Sequence, residues 1–371
     1  MSVRILHIVN TLGAGGMENG VVNLCHRLDR TRFESRVVGL RGRGEFADRM
    51  PDWVDVDGLI EGPGFSWGRV RALRQKVREF RPDVLHTHNL GPLLHAGLIR
   101  ILGSNRVPIL HGEHAELADW EKNRKRIIER RLLYRMCSAV HTVSEGLVTD
   151  LSSVGLRHPQ LLSIPNGVDL EHFYPTGPVA AGQSVQGAPK VGLVGRFGDH
   201  KRHDLALAAA EASDGAAFQL VFVGDGGPKR AEVLDWVERL PEKRVDWLGS
   251  RTREELPSIY RGLDLLIIPS ANEGLSNVML EAMACGVPVL TNRNCGAEEV
   301  LGDGRGGWIE DLSLADDPGA ELSRLIAQKL GDSEGLAQAS REAREKVEQH
   351  YGLARMVDEY VRLYEKIGGG P

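Results

Sequence analysis

Residues 4–28 read RILHIVNTLGAGGMENGVVNLCHRL, and their pattern gives the first evidence of the fold. The apolar run at residues 4–9 is typical of a buried strand, and a glycine-rich loop follows it at residues 13–16. From residue 17 to residue 28 the apolar positions recur with helical spacing. A strand, a glycine loop and a helix in this order predict the first unit of a parallel α/β sheet.

The same order of elements repeats along the chain. Apolar runs that are typical of strands recur, with helical patterns between most of them, at residues 36–40, 83–86, 107–110, 139–143, 161–164, 190–194, 219–223, 245–248, 263–268 and 287–291. Strands that alternate with helices predict an α/β protein with parallel, doubly wound sheets.

The chain is predicted to form two domains. Residues 174–189 (YPTGPVAAGQSVQGAP) are rich in proline, glycine and alanine and lack apolar periodicity, so they are interpreted as a linker. An N-terminal domain at 1–173 and a C-terminal domain at 190–350 follow from this boundary. Within the last segment, 351–371, apolar residues at 3–4 spacing predict an amphipathic helix that needs a surface to cover.

Composition narrows the class of protein. A length of 371 residues with 42% hydrophobic and 26% charged residues is ordinary for a two-domain globular chain. The net charge of −5 does not indicate a nucleic-acid-binding protein. The four cysteines form no CxxC pair, which argues against a disulfide framework and a structural zinc site. Without a membrane-spanning run or a signal sequence, a cytoplasmic location is expected.

Two cations follow the first predicted strand of the second half. Arg196 and Lys201 stand five positions apart in the loop after that strand. An arginine fork and a lysine ammonium can clamp a diphosphate without a metal ion. The alternative is a solvated surface pair, and the spacing leaves both interpretations open.

Two carboxylates bracket a helix start after the strand at residues 263–268. Glu273 falls in the loop, Ser276 is the predicted N-cap and Glu281 lies in the second turn. Backbone N–H groups at such a helix start favour an anion, and each carboxylate can accept hydrogen bonds from a pair of sugar hydroxyls. The alternative is a glutamate stabilised by the helix dipole beside an ordinary helical glutamate.

Four histidines of the first half lie at predicted strand ends, where parallel-sheet proteins place ligands. They are His86, His88, His111 and His114. His111 is the favoured functional candidate, because Gly112 beside it is expected to keep the site open. Structural histidines are the alternative, and a zinc site lacks a third supporting motif.

Two segments of the first half are strongly basic. Residues 69–81 hold six basic residues and one acidic residue, and residues 121–135 hold seven basic and two acidic residues. Both segments have helical patterns, and a basic amphipathic helix can dock on anionic lipid. Solvated surface helices are the alternative.

Together these motifs resemble those of the retaining glycosyltransferases of family 4, which have the GT-B fold. The resemblance spans nearly the whole chain and rests on Gly15, Gly16 and Glu18, the His111-Gly112 step, residues 166–169 (NGVD), Gly195-Arg196 with Lys201, residues 224–226 (GDG), and Glu273 with Glu281 before residues 284–289 (ACGVPV). It implies two Rossmann-like domains that face a central cleft and a last helix that returns to the first domain. Arg202 departs from the pattern, because relatives often have glycine there.

The resemblance also implies roles for individual residues. It assigns the donor diphosphate to Arg196 and Lys201, the ribose to Glu281 and the transferred sugar to Glu273. The implied catalytic residues are His111, Glu273, Arg196 and Lys201. The implied donor site consists of Gly16, Arg196, Lys201, Glu273, Gly274, Leu275, Ser276, Asn277 and Glu281. On the acceptor side the candidates are His88, His114 and Asn166.

The implied reaction transfers a sugar, with retention of configuration, from a nucleotide sugar to a hydroxyl of a glycan, lipid-linked or small-molecule acceptor. UDP is expected as the nucleotide because most relatives use it. Neither a metal nor another cofactor is expected, since two cations and a helix N-terminus would neutralise the leaving diphosphate. Residues 86–89 (HTHN) and 111–114 (HGEH) are similar to a bacterial subset that assembles exopolysaccharide or envelope glycans, which suggests a place on the inner face of the membrane. A non-catalytic nucleotide-sugar-binding module and a GT-B nucleotide-sugar 2-epimerase are the alternatives.

Overall fold

The computed structural model describes residues 2–103, 106–180, 187–213, 218–241, 244–270 and 272–369. Its strands are β1 (Val3–Val9), β2 (Phe33–Gly39), β3 (Asp55–Gly58), β4 (Val84–His88), β5 (Ile109–Glu113), β6 (Ala139–Thr142), β7 (Leu161–Ser163), β8 (Lys190–Val194), β9 (Gln219–Val223), β10 (Val245–Trp247), β11 (Leu265–Ile268), β12 (Val289–Asn292) and β13 (Gly307–Glu310). Its helices are α1 (Gly16–Arg27), α2 (Trp67–Phe80), α3 (Leu90–Leu102), α4 (Arg124–Tyr134), α5 (Glu145–Ser153), α6 (His203–Ala212), α7 (Arg230–Arg239), α8 (Leu256–Tyr260), α9 (Asn277–Ala284), α10 (Cys295–Leu301), α11 (Pro318–Gly331), α12 (Ser333–His350) and α13 (Leu353–Gly368).

The chain folds into two compact units. The first is Met1–Gly167 with Leu353–Pro371, and the second is Val168–Gly352. This boundary precedes the predicted linker at 174–189, because residues 168–173 are already tied into the second unit. The Val168 amide donates to the Tyr351 carbonyl at 2.8 Å, and Phe173 is buried with its ring 6.1 Å from that of Tyr260. Residues 181–186 of the predicted linker lie outside the described residues.

The first unit contains a seven-stranded parallel sheet in the order β3-β2-β1-β4-β5-β6-β7. Its central strands are buried on both faces, as expected where helices cover both sides of a parallel sheet. The chain order reverses between β1 and β4, so the carboxyl ends of these strands border the crevice where such sheets bind ligands. The glycine loop at residues 13–16 follows β1 and therefore lies at this edge.

The last helix, α13, belongs to the first unit. Its inner face buries Met356, Val357 and Tyr364 in one core cluster with Val3 and Ile5 of β1. The apolar residues of α13 therefore cover one face of the first sheet, which gives this amphipathic helix its partner surface.

The second unit contains a six-stranded parallel sheet in the order β10-β9-β8-β11-β12-β13. Here the order reverses between β8 and β11. The loop after β8 carries Arg196 and Lys201, and the loop after β11 carries Glu273. The topology thus brings these three residues to the edge where doubly wound sheets bind nucleotides.

Two strands of the sheets were not predicted from the sequence. β3 and β13 are short edge strands whose described residues are only partly buried or exposed, except Gly307, so they lack a continuous apolar run. In β3, Asp55 pairs with Arg36 at 2.7 Å and Asp57 pairs with Lys76 at 2.7 Å. Both aspartates of β3 therefore form ion pairs at the edge of the first sheet.

None of the helices in the described part of the chain combines the length and the apolar character that crossing a membrane requires.

Candidate active site

Glycines let the loops after β8 and β9 approach each other closely. Gly195 and Gly224 both have positive φ angles, 153° and 131°. A Cβ on Gly224 would lie 2.3 Å from the Gly195 carbonyl oxygen, so a larger residue there would push the two loops apart. The same loop continues through Arg196 and the short helical turn Asp199–Lys201.

Lys201 and Glu273 form an ion pair across the switch point of the second sheet. The Lys201 ammonium donates to Glu273 Oε1, and both side chains are largely buried, 19% and 16% exposed. The loop after β11 is held by α10, because the Gly296 amide donates to the Glu273 carbonyl at 3.4 Å. The two predicted donor residues from distant parts of the sequence are thus in contact.

Arg196 is exposed beside this pair. Within the described residues, its guanidinium makes no hydrogen bond and no ion pair, so all of its donors are available to a ligand. Arg202, in contrast, is engaged, because it pairs with Asp204 at 3.0 Å. Arg202 has φ 54°, a left-handed conformation that favours glycine, the residue that the family resemblance leads us to expect at this position.

The N-terminus of α9 directly follows the loop that carries Glu273. Ser276 is its N-cap, as predicted, and its hydroxyl accepts from the Met279 amide at 3.4 Å. Gly274, Leu275 and Ser276 are buried and Asn277 begins the helix. The first N–H groups of this eight-residue helix carry the positive end of its dipole, which favours an anionic group nearby.

Glu281 is oriented by a tyrosine that the sequence analysis missed. The buried Tyr260 hydroxyl donates to Glu281 Oε2 at 2.9 Å. Burial and the charge of Glu281 raise the pKa of Tyr260, so the phenol remains a proton donor. No local motif links Tyr260 in α8 to Glu281 in α9, so only the packing of the two helices identifies this contact.

His111 occupies a closed position rather than the open one that was expected from Gly112. Its ring is fully buried, with Nδ1 2.9 Å from Thr87 Oγ1 and Nε2 3.3 Å from Glu113 Oε1. Glu113 also accepts from Arg130 Nε at 3.1 Å and from the Tyr134 hydroxyl at 2.8 Å. The ring of His111 is therefore enclosed in a network on the side of α4.

Charge holds Glu113 ionised within this network. Burial alone would raise the pKa of Glu113, but the contact with His111 and the charge of Arg130 outweigh it and lower that pKa to about 2. Arg130 also donates to Glu121. Arg130 and Arg69 are both buried, and Arg69 donates to the carbonyls of Ile60, Gly62 and Gly64, so the two basic segments are not uniformly solvated faces.

Two of the acceptor-side candidates, His88 and His114, contact each other rather than His111. His88 Nδ1 lies 3.0 Å from His114 Nε2, and His114 is only partly buried at the end of β5. Side chains alternate along a strand, so His86 and His88 lie on the opposite face of β4 from Thr87, the partner of His111. Asn166 is half-buried after β7, and Gly16 begins α1.

Comparisons with known proteins identify the fold and the family. A crystal structure of HepE from Anabaena in complex with UDP-glucose superposes with a TM-score of 0.82 at 21% identity, over 98% of this chain and 99% of that one. EpsF of Bacillus subtilis, named as a glycosyltransferase, is 27% identical over 84% of each chain. The 2-deoxystreptamine N-acetyl-D-glucosaminyltransferase of Streptomyces fradiae is 29% identical over 81% of this chain and 76% of its own length.

The fold and the switch-point site define a two-domain α/β glycosyltransferase with the GT-B fold. Two family models match successive parts of the chain: Glycosyltransferase Family 4 over residues 14–172 and Glycosyl transferases group 1 over residues 180–346. Together they span most of the sequence, and the chain belongs to this family of glycosyltransferases.

Proposed function

We propose that this glycosyltransferase moves a sugar from a UDP-linked donor to an acceptor hydroxyl, with retention of configuration and without a metal ion. The observation that carries the proposal is the contact between Lys201 and Glu273 beside the exposed Arg196, at the switch point of the second sheet. HepE, which has the same fold, has been solved with UDP-glucose and with UDP, and this supports a uridine nucleotide for the donor.

In this proposal the second unit binds the donor. Arg196 and Lys201 contact the diphosphate, and the N–H groups at the start of α9 contact a phosphate or the sugar. Glu281, oriented by Tyr260, accepts hydrogen bonds from the ribose hydroxyls. Glu273 accepts from hydroxyls of the transferred sugar while its other oxygen keeps Lys201 in position.

The chemical step breaks the bond between the anomeric carbon and the diphosphate oxygen, and the bonding electrons leave with the diphosphate. The acceptor hydroxyl forms the new bond from the same face and passes its proton to the departing phosphate oxygen. Configuration is retained because attack and departure share one face. Arg196 and Lys201 stabilise the charge that develops on the leaving group, the contribution that dominates catalysis at many sites.

We assign the histidine that contacts the substrate to His114 rather than His111. His114 follows β5 and is half-buried, whereas both nitrogens of His111 lie against Thr87 and Glu113 in a fully buried position. Gly16, at the start of α1, offers backbone N–H groups to the same edge of the first sheet. His88 supports His114, and Asn166 is an acceptor-side candidate.

A lipid-linked acceptor at an anionic membrane fits the surface of α4. Ile128 and Leu132 are exposed by 45% and 56%, one turn apart on this helix. The exposed Arg124, Lys125 and Arg131 flank them. Apolar side chains between cations are suited to the interface of an anionic bilayer, so this surface could bring the first unit to a lipid-linked glycan.

The experiment is nucleotide release from a panel of UDP- and GDP-sugars in the presence of EDTA. We expect slow turnover of one UDP-sugar, reduced about 10²-fold or more in Arg196→Ala. Arg239→Ala, which removes an exposed arginine of α7, is the matched control and should leave the rate unchanged. Binding of UDP without release from any sugar nucleotide would indicate a binding module, and formation of an epimeric sugar nucleotide would indicate an epimerase.

A further inference from the structure

Five imidazoles cluster on one face of the first sheet, beneath α13. His7 of β1 is the register partner of His86 in β4, and His88 lies two positions further along the same face. His88 is in register with Gly112 of β5, which is in register with His141 of β6. Parallel pairing therefore stacks these side chains in two adjacent rows across the sheet.

Gly112 provides the space into which the rings extend. A Cβ at this position would lie 2.6 Å from His141 Nε2 and 2.8 Å from His114 Nε2, closer than side-chain atoms can approach. Because Gly112 has no side chain, the space beside it is lined by imidazole nitrogens. In the mechanism proposed above, His114 contacts the substrate and His88 supports it, and the other three rings have no role.

We infer that His7, His86 and His88 form a binding site for a divalent transition-metal ion of borderline character, such as Zn²⁺. One ring nitrogen from each of the three residues lies within 4.8 Å of the other two. His7 Nδ1 and His88 Nε2 are 3.3 Å apart. Zinc–nitrogen bonds of about 2.0–2.1 Å in a tetrahedron place neighbouring nitrogens about 3.3–3.4 Å apart, so this pair already has the spacing of two ligands.

The other nitrogens of two of these rings have partners that fix the ring orientation. His86 Nδ1 is 2.7 Å from the Tyr364 hydroxyl, and His88 Nδ1 is 3.0 Å from His114 Nε2. Metal-binding histidines typically engage their second nitrogen in this way, which directs the first nitrogen at the metal. His86 Nε2 is 3.0 Å from His141 Nε2, so His141 is the candidate for a fourth ligand.

At neutral pH the imidazole rings of the cluster have lone pairs that can bind a cation. Burial lowers the pKa of His7 to about 3 and the pKa values of His86 and His88 well below their usual range, so all three rings are neutral. Neutral imidazoles bind metal ions without first losing a proton.

The donor set selects the class of metal. The three rings offer only imidazole nitrogen, and Mg²⁺ and Ca²⁺ require oxygen ligands. Zn²⁺, Co²⁺, Ni²⁺ and Cu²⁺ accept such sites. The site lies within the first unit, and the proposed donor chemistry does not pass through it. Metal at this position would instead link β1 to β4 and, through Tyr364, to α13.

The test uses tag-free protein that has been stripped with a chelator, dialysed and titrated with Co²⁺ and with Zn²⁺. We expect saturation at one equivalent, a visible d–d band for Co²⁺, and a rise in melting temperature of about 5 °C or more when Zn²⁺ is at 100 times its dissociation constant. His7→Gln and His88→Gln should each weaken Zn²⁺ binding tenfold or more. His26→Gln, at an exposed histidine, should not.

X-ray absorption of the zinc-loaded chain needs no variant and so remains decisive if the substituted proteins do not fold. Three or more imidazole ligands at about 2.0–2.1 Å would support the site. Fewer than three imidazoles, no saturable Co²⁺ band in the unsubstituted chain, or unchanged affinity in both buried variants would overturn it. In that case the cluster is a network of hydrogen-bonded neutral rings alone.

Discussion

Mild acid should unfold the first unit of the protein before the second. His7, His86, His88 and His141 are at most 2% exposed, and burial lowers the pKa of each below its ordinary value of 6.5. The unfolded chain binds a proton at each of these positions below pH 6.5, whereas the folded chain does not. Stability is therefore complete above pH 6.5 and falls as the pH falls.

The magnitude follows from the proton uptake of the unfolded chain. Between pH 6.5 and pH 5.5, each ring that remains neutral in the folded state lowers the free energy of unfolding by about 1 kcal/mol. The four fully buried rings together give about 4 kcal/mol, and His114, whose pKa burial lowers to about 4, adds about 1 kcal/mol. The loss is a large part of the roughly 5–15 kcal/mol that stabilises a typical protein. Glu113 adds nothing in this interval, because its pKa of about 2 keeps it charged in the folded state.

The second unit is an internal control. His203, with a pKa lowered by burial to about 4, is its one histidine that is fully buried within the described residues, so a loss of only about 1 kcal/mol is expected there. Hydrogen exchange of the slowest peptides of each unit, measured in EDTA and corrected for the pH dependence of intrinsic exchange, reports both stabilities. Equal losses in the two units, or a first unit whose stability is flat from pH 6.5 to 5.5, would refute this reasoning.

Three further substitutions, one of them with a matched control, test other contacts in the two units. Gly112→Ala should destabilise the first unit by about 1–3 kcal/mol, because its methyl group meets the rings of His141 and His114. The control is Gly20→Ala in α1, where no atom lies within 4 Å of the new Cβ, and this substitution should stabilise the unit by about 0.5–1 kcal/mol. Urea denaturation measures both free energies of unfolding. Tyr260→Phe should weaken UDP binding about tenfold, with an unchanged circular dichroism spectrum, because Glu281 loses the donor that orients it. Arg253→Ala breaks the 2.9 Å pair with Asp169 and should cost the second unit about 1 kcal/mol in the same urea assay, and no loss would show that the pair contributes nothing.

The regular parts of the fold follow from local sequence. Central strands such as β9 and β11 are largely continuous apolar runs, and the glycine loop after β1 separates a buried strand from a helical period of 3.6 residues. The GT-B class was predicted through the family resemblance and is confirmed by the structural neighbours. Edge strands such as β3 were not predicted, because an edge strand is partly exposed to solvent and therefore lacks a continuous apolar run.

The domain boundary depended on distant contacts. Residues 168–173 have no local pattern that assigns them to either side. Their place in the second unit depends on the bridge between Val168 and Gly352, which are far apart in the sequence. A linker prediction based on composition does not use contacts between distant residues. It therefore placed the boundary at the segment that is richest in glycine and proline.

The contacts of the candidate site were predictable where the sheet topology alone brings two residues together. The rule that ligands bind at strand ends at the switch point brings Lys201 and Glu273 together, and the structure has them in contact. The orientation of His111 could have been anticipated from strand alternation, which sets it opposite to the row that contains His88. The contact of Tyr260 with Glu281 could not, because it depends on how α8 packs against α9.

Calorimetric titration of UDP, in EDTA, into the unsubstituted protein, Lys201→Met and Lys229→Met measures whether Lys201 binds the donor nucleotide. Lys229 is an exposed lysine of the same unit that pairs with Glu232, so its variant controls for a general loss of charge. We expect one UDP site per chain that survives EDTA, is weakened tenfold or more in Lys201→Met and is unchanged in Lys229→Met. Absence of UDP binding to the unsubstituted protein, or equal affinity in all three proteins, would contradict it.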